Sequence, residues 1–356
     1  MSFSRSIFMT GFPGFIAERL LEKLAAVDRE FYLLVQPQFV EAALGHLERI
    51  AETTQTPLEN YAVIEGDITQ KELGIGPEDA ETLADRVTDV FHLAAIYDLA
   101  VAREAAFAVN VEGTRNVNNF VAGCRKLIRY NHISTCYVAG KRTGRIAETD
   151  LEHEAGFRNF YEESKYLAEQ EVEKFKAERP TTIFRPSVVV GDSQTGETAK
   201  YDGIYYLIQY LRKAPSLLRL VNVGNERVRL NLVPVDFVAE AIAALAFDER
   251  AAGKTLAIAD PEPLTTRELF DSIAEGLAGR GSLITPPAKL VEWFLSKPFS
   301  PPITGLPLSG VPYFFIDQTY DMGVAAQLLR EHGIECPGFR TYVKNLLRFV
   351  EEHPKL

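Results

Sequence analysis

The chain has 356 residues, 46% of them apolar and 24% charged, and a formal net charge of −11. That balance suits a soluble globular protein with a large core and two lobes. It argues against a nucleic-acid partner and gives no support for anchoring on an acidic membrane surface. Cys124, Cys136 and Cys336 are too few and too scattered for a disulfide framework or a zinc site, so no metal is expected and a reducing, cytoplasmic setting follows. No apolar run reaches the roughly 18 residues of a membrane span, and the first residues lack the pattern of a signal peptide.

Taken in chain order, SRSIFMTG (4–11) reads as a buried strand and FIAERLLEKLAAV after it as a helix. The turn between them, TGFPGFIA, carries Gly11 and Gly14, which let the backbone turn tightly and approach a pyrophosphate. Ala17 supplies a third small residue for close packing of helix on strand, and the helix from about Phe15 points its first amides at the phosphates. The spacing is G-x-x-G-x-x-A, which alone is a weak signal and gains weight from its place after the first strand. EFYLLV is the second strand, and the residues after it select the nucleotide. An acid there would bond a ribose 2′-hydroxyl, but the sequence has Gln36 and Gln38, with no acid before Glu41. A glutamine does not repel a 2′-phosphate, which favours NADP(H) over NAD(H), with NADH left open.

YAVIEGD, TDVFHLAA, LIRYNHIST and TTIFRPSVVVG are further strands, with helical segments between most of them. This rhythm predicts a doubly wound parallel sheet with helices on both faces. Asp67 ends the third strand and could accept from an adenine amino group or cap a turn. His92 to Ala95 end the fourth with small residues suited to a backbone lying against a cofactor, and His92 reads as a packed core histidine. After about residue 192 the alternation loosens. Residues 1–191 read as the nucleotide-binding domain, with 227–260 returning to it, and 192–356 as mainly a substrate lobe. In that lobe VRLNLVPV and KTLAIAD look like strands, SKPFSPPITGLPLSGVP like a loop-like break, and two amphipathic helices close the chain. Tyr205, Tyr206, Trp293, Phe314 and Phe315 suggest an apolar pocket or core.

The chemistry is carried by NFYEESKYLAEQ (159–170). On a helix, Tyr161 and Lys165 share a face. A free phenol, with a pKa near ~10, exchanges protons poorly at neutral pH, and an ammonium one turn away favours the phenolate. Such a tyrosine can serve as the acid for a carbonyl being reduced or the base for an alcohol being oxidised. Ser134 and Thr135 end the fifth strand, and adjacent strand residues face opposite sides, so one of the two hydroxyls reaches the site.

TGFPGFIA, GDIT, HLAA, NVEGT, HISTCYVAG, YEESK, RPSVVVGDSQTG and LVPVDFVAEAI occur in that order over roughly two thirds of the chain. Together they resemble the extended short-chain dehydrogenases/reductases with their Rossmann sheet. RPSVVVGDSQTG and VQPQ are most similar to the male-sterility branch, which holds fatty acyl-CoA reductases and thioester-reductase domains. The resemblance implies a catalytic set of Thr135, Tyr161 and Lys165, with Ser134 as the fallback hydroxyl. It places Thr10, Gly11, Gly14, Phe15, Ile16, Gln36, Asp67, Ile68, Ala94, Ala95, Tyr161, Lys165, Pro186, Ser187 and Val189 at the cofactor. It implies a mainly structural Asn110, an Arg185 that is either at the site or a buried ion-pair partner, and a homodimer through the helix of Tyr161 and the one before it.

The activity so implied is NADP(H)-dependent reduction of a carbonyl or acyl thioester on a fatty-acyl or similar apolar substrate. A free-standing ketone or aldehyde reductase stays open, as does a nucleotide-sugar epimerase of the same fold. A dehydratase resembles T-D-E where this chain has Thr135-Cys136-Tyr137. A non-catalytic cofactor sensor would not need all three catalytic groups.

Overall fold

A computed structural model describes residues 3–213 and 221–355. Its strands are β1 (Arg5–Thr10), β2 (Arg29–Val35), β3 (Tyr61–Glu65), β4 (Asp89–His92), β5 (Arg129–Ile133), β6 (Gly144–Ile146), β7 (Thr181–Pro186), β8 (Val188–Val190), β9 (Leu232–Pro234), β10 (Thr255–Ile258) and β11 (Gln318–Tyr320). Seven of them form one sheet in the order β3-β2-β1-β4-β5-β7-β10, with every pairing parallel. The strands β4, β5 and β7 are buried along their whole length. Helices cover both faces of such a sheet, so its central strands have no polar side.

The helices are α1 (Phe15–Leu24), α2 (Val40–Thr54), α3 (Pro77–Arg86), α4 (Arg103–Ala106), α5 (Gly113–Gly123), α6 (Phe160–Lys176), α7 (Ile204–Lys213), α8 (Val235–Ala246), α9 (Thr266–Ala278), α10 (Ala288–Leu295), α11 (Ser300–Thr304), α12 (Gly323–Glu331) and α13 (Phe339–Glu352). Ile7 and Met9 of β1 pack with Leu20, Val238 and Ile242 of α1 and α8, while Phe8 between them packs with Val117, Val121 and Val172 of α5 and α6. That is the period-two alternation of a strand between two helical layers. The chain runs outward from β1 to β3 and then crosses back to β4, opening a crevice at the carboxyl ends of β1 and β4.

A second core joins α7, α9 and α13 through Tyr205, Ile208, Phe270, Ile273, Tyr342 and Leu346. The two cores are interleaved along the chain. The strand β10 lies at the edge of the main sheet, and α12 puts Ala325, Leu328 and Leu329 into the first core. Glu148 holds this crossing together. Its buried carboxylate accepts from the backbone amides of Ala257, Val324 and Ala325 at 2.8–3.1 Å, tying β10 to the start of α12.

Three local expectations change. The loop-like break at 296–312 contains α11, which opens on Ser300-Pro301-Pro302 because proline suits a first helical turn. The strand expected over 228–235 shortens to β9, with Arg229 making only an isolated bridge to Thr265. The helix expected over 103–124 is split by a π-helical turn at Phe107–Glu112, which carries Asn110. Among the described residues, no helix is long and apolar enough to cross a membrane.

Candidate active site

The phosphate end of the site follows from two glycines. Gly11 has φ +92°, and a Cβ there would stand 2.7 Å from the Ala94 amide nitrogen and 2.8 Å from the Leu93 carbonyl carbon. A Cβ on Gly14 would meet the Gly11 oxygen at 2.6 Å. Gly14 caps α1 without a side-chain hydrogen bond, so the amides of Phe15, Ile16 and Ala17 open the helix with no capping group over them. A backbone cradle with uncapped helix amides fits a pyrophosphate. The residues present therefore fit a nicotinamide dinucleotide.

The β4 end is locked by a buried relay. The Thr114 hydroxyl donates to the Asn110 carbonyl at 2.7 Å, so it accepts from His92 Nε2 at 3.0 Å. That leaves His92 Nδ1 to accept from the Thr10 hydroxyl at 2.8 Å, and Thr10 in turn accepts the Ala94 amide at 3.1 Å. This network assigns the tautomer. Burial, and then the nearby Lys165 cation, lower the His92 pKa to about 3, which keeps it neutral. His92 is thus a packed core histidine that holds Thr10 and Ala94 in place; Ala95 beside them is exposed.

At the ribose end, Gln36 donates to Asp67 Oδ2 at 2.7 Å, and Asp67 Oδ1 accepts the amide and the hydroxyl of Thr69, each at 2.8 Å. Asp67 therefore caps a turn, and it brings to Gln36 a carboxylate that the linear distance to Glu41 did not reveal. The Ile68 side chain is in the core, close enough that a Cβ on Gly113 would meet it at 2.7 Å, which accounts for the glycine of NVEGT. Asn116 holds the Ile68 carbonyl at 2.8 Å.

At the chemical end, Thr135 and Ser134 part as neighbouring strand residues should. Ser134 donates to Glu169, which also receives Arg185 at 2.9 Å and 2.5 Å. Arg185 spends its remaining donors on the carbonyls of Glu148 and Asp150, so it is a buried ion-pair partner. Thr135 instead stands at Tyr161 and interacts with its hydroxyl. It also accepts the Tyr137 amide at 3.2 Å. Cys136 donates to the Arg185 carbonyl, and burial raises its thiol pKa, so it is no nucleophile.

Tyr161 and Lys165 are both buried on α6. Lys165 donates to the Ile133 carbonyl at 2.9 Å, and burial brings its pKa down to about 8. Burial raises the Tyr161 pKa, and the Thr135 hydrogen bond only partly opposes this. The lowering expected from Lys165 is not seen: desolvation is the largest influence on this phenol, which keeps its proton. Asn110 bonds Ser164 at 2.9 Å and clasps both backbone groups of Ile96 at 2.9 Å and 3.3 Å, so it braces α6 from the π-turn.

Two expected contacts turn elsewhere. The Ser187 hydroxyl donates to Asn231 at 2.7 Å. Val189 packs on the sheet core, and by strand alternation it is Val188 that lines a small cavity beside Tyr97, Tyr137 and Tyr313. Tyr97 meets the Tyr161 ring edge-on at 5.1 Å. Tyr313 comes from the far lobe, donates to the buried Glu162 at 2.6 Å and receives Asn159 at 2.8 Å. Nothing in the sequence pointed to Tyr97, Tyr313 or Glu162. Through Tyr206, Leu306 and Phe314 the small cavity borders a larger one of about 360 Å³, walled mainly by apolar side chains such as Leu290, Trp293 and Phe294. Tyr206, Trp293 and Phe314 thus line a pocket, while Tyr205 and Phe315 pack in the core.

Comparison with known proteins matches the profile of a family described as male sterility protein over residues 9–242. The chain is 26% identical over 280 residues to "Fatty acyl-CoA reductase wat" of Drosophila melanogaster, covering 68% of this chain and 54% of that protein. It is 27% identical over 297 residues to "Aldehyde reductase lnaA" of Aspergillus flavus, covering 76% of this chain and 28% of the relative. It therefore spans about half or less of these relatives. The terminal R domain from the myxalamid PKS-NRPS biosynthetic pathway superposes with TM-score 0.82 at 24% identity, over 100% of this chain and 92% of that one, and shows the same fold.

Proposed function

This chain belongs to the male sterility protein family, the thioester-reductase branch of the extended short-chain dehydrogenases/reductases, and on that premise we propose that it is an NADPH-dependent reductase of an acyl thioester bearing an apolar chain. The observation that carries the reading is a protonated Tyr161 hydrogen-bonded to Thr135, with Lys165 on the same helix face, and with Tyr97 joining the Tyr161 ring to the small cavity that borders the apolar one. A bound nicotinamide would supply a hydride to the carbonyl carbon. The residues to hold that cofactor are Gly11, Gly14, Phe15 and Ile16 at the phosphates, Gln36 at the ribose, and Ala94 with Pro186 along its length.

The chain's own groups would divide the remaining work. Thr135 donates to the substrate carbonyl oxygen and holds the carbonyl against Tyr161. The buried phenol, which keeps its proton, hands it to that oxygen as negative charge develops. Lys165 restores the balance of charge and bonds the cofactor ribose. A thioester would gain one hydride and one proton to give a hemithioacetal. That species breaks its carbon–sulfur bond to release an aldehyde and a thiol.

The NADPH preference rests on Gln36 standing where an acid would bind a ribose diol. Asp67 is already engaged, because three donors share the carboxylate, Gln36 on Oδ2 and Thr69 twice on Oδ1. The homodimer would use α6 and the preceding run of α4, the π-turn and α5, whose exposed residues Ala105, Ala108, Glu112, Arg115 and Asn119 are small or polar. Val109 and Phe120 of the same run pack inward against the core.

The test is NADPH oxidation with acyl thioesters, the matching aldehydes, ketones and nucleotide sugars. Thioester turnover that releases free thiol supports the proposal. Turnover of aldehyde alone favours the second reading, an aldehyde reductase, for which the similarity to lnaA speaks. An epimerase would need hydrogen-bonding partners for a sugar. The larger cavity offers few, chiefly Thr266, Thr304 and tyrosine hydroxyls.

A further inference from the structure

The larger cavity opens at a face of unusual composition. Leu283, Ile284, Leu290, Trp293, Phe299 and Ile303 are each 50% to 75% exposed and fall within twenty-one consecutive residues. The helix α10 is apolar on two sides. Val291 and Leu295 face inward, while Leu290 and Trp293, three apart, face outward. A helix with only water outside carries polar residues on that side.

Charge in this segment departs from the rest of the chain. Residues 280–304 hold Arg280, Lys289 and Lys297 against Glu292, a local sum of +2 in a chain of net charge −11. Among the described residues none of the three cations forms an ion pair. Lys297 lies over the Trp293 ring, its ammonium 5.1 Å from the centroid. Exposed leucine and tryptophan flanked by free cations match the surface of a helix that lies in a lipid interface. Leu290 and Trp293 also line the cavity, so the mouth of the cavity opens on the same face.

We propose that the face built from residues 280–304 docks on an anionic lipid surface, with Leu290 and Trp293 seated among acyl chains and Arg280, Lys289 and Lys297 at the phosphates. Docking there would set the cavity mouth against the bilayer, so an apolar chain could enter without crossing water. The whole-chain charge concealed this, because it sums the acidic remainder with a basic face.

Trp293 is the only tryptophan, so intrinsic fluorescence reads this face directly. The full chain is titrated with vesicles of equal parts phosphatidylcholine and phosphatidylglycerol, and with phosphatidylcholine alone. The expected result is a blue-shifted emission on the anionic vesicles, quenched when their acyl chains are brominated. Lys289→Glu with Lys297→Glu should weaken binding at least about tenfold. Emission that ignores anionic vesicles, or equal binding to both compositions, overturns the proposal. So does a blue shift that grows with protein concentration in the absence of lipid, which would make a second copy the occupant. The readout uses no substrate, so it stands or falls apart from the reductase reading.

Discussion

Replacing Lys165 with methionine should make the protein more stable at pH 7 while abolishing its catalysis. Lys165 is 4% exposed, and burial lowers its pKa from an ordinary 10.5 to about 8. Between those two values the unfolded chain holds a proton that the folded chain has lost, so stability rises with pH across that window. Below pH 8 the folded protein carries the full cost of a buried ammonium, about 3 kcal/mol for the fall from 10.5 to about 8. Methionine has a similar length and no charge to desolvate. It forfeits the bond from the charged ammonium to the Ile133 carbonyl, worth about 1.5–3 kcal/mol, which leaves a gain of about 1 kcal/mol. Urea unfolding followed by circular dichroism at pH 7 and at pH 10.5 reads both ends. The variant should lead at neutral pH, and wild type should draw level or pass it at the alkaline end, where its lysine is neutral in the folded state and half neutral in the unfolded chain. A variant less stable at pH 7, with a deficit independent of pH, would show that Lys165 is comfortable as an ion and refute the reasoning. Activity retained in the same variant would refute the catalytic role separately.

Tyr161→Phe should lower turnover by roughly 100-fold or more and leave NADPH affinity close to wild type, read by steady-state rates and by fluorescence titration. Thr135→Ala should lower turnover with little effect on stability. Ser134→Ala should do the reverse, because Glu169 loses a buried donor at a cost of about 1–3 kcal/mol; urea unfolding and initial rates on the pair separate the two. Wild type should show a lower KM for NADPH than for NADH, and Gln36→Asp should invert that order. A wild-type preference for NADH would mean that Asp67 gives up Gln36 to take the ribose diol.

The sheet was legible because a parallel sheet covered on both faces writes its strands as apolar runs separated by helical periods, and seven such runs are the seven strands. Fixed spacing also made the placement of the candidate residues legible. A tyrosine and a lysine four apart on one helix must share a face, and two neighbouring hydroxyls on a strand must part. What the sequence left open was which hydroxyl goes where, and the deciding partner, Glu169, lies 35 residues from Ser134. The same holds for Asp67 beside Gln36 and for Tyr313 on Glu162, contacts 31 and 151 residues apart. Periodicity records how one element meets its immediate layer and carries nothing about contacts between lobes.

The protonation of Tyr161 shows the same gap in energetic terms. A lysine one turn away argues for a depressed phenol, and that argument is sound in a solvated helix. Here the two groups are buried together, and desolvation acts on each in the direction that removes charge, raising the tyrosine and lowering the lysine. At pH 7 the lysine, at about 8, still keeps its charge, so the site holds a neutral phenol near an ammonium, which suits an acid that must give a proton to a carbonyl. Burial depends on Tyr97 and on the far lobe, which close over α6 in space and not in sequence. Opening that cover should restore the influence of the ammonium and draw the phenol pKa back down, so the direction of proton transfer in this site is set by packing as much as by the residues that carry it.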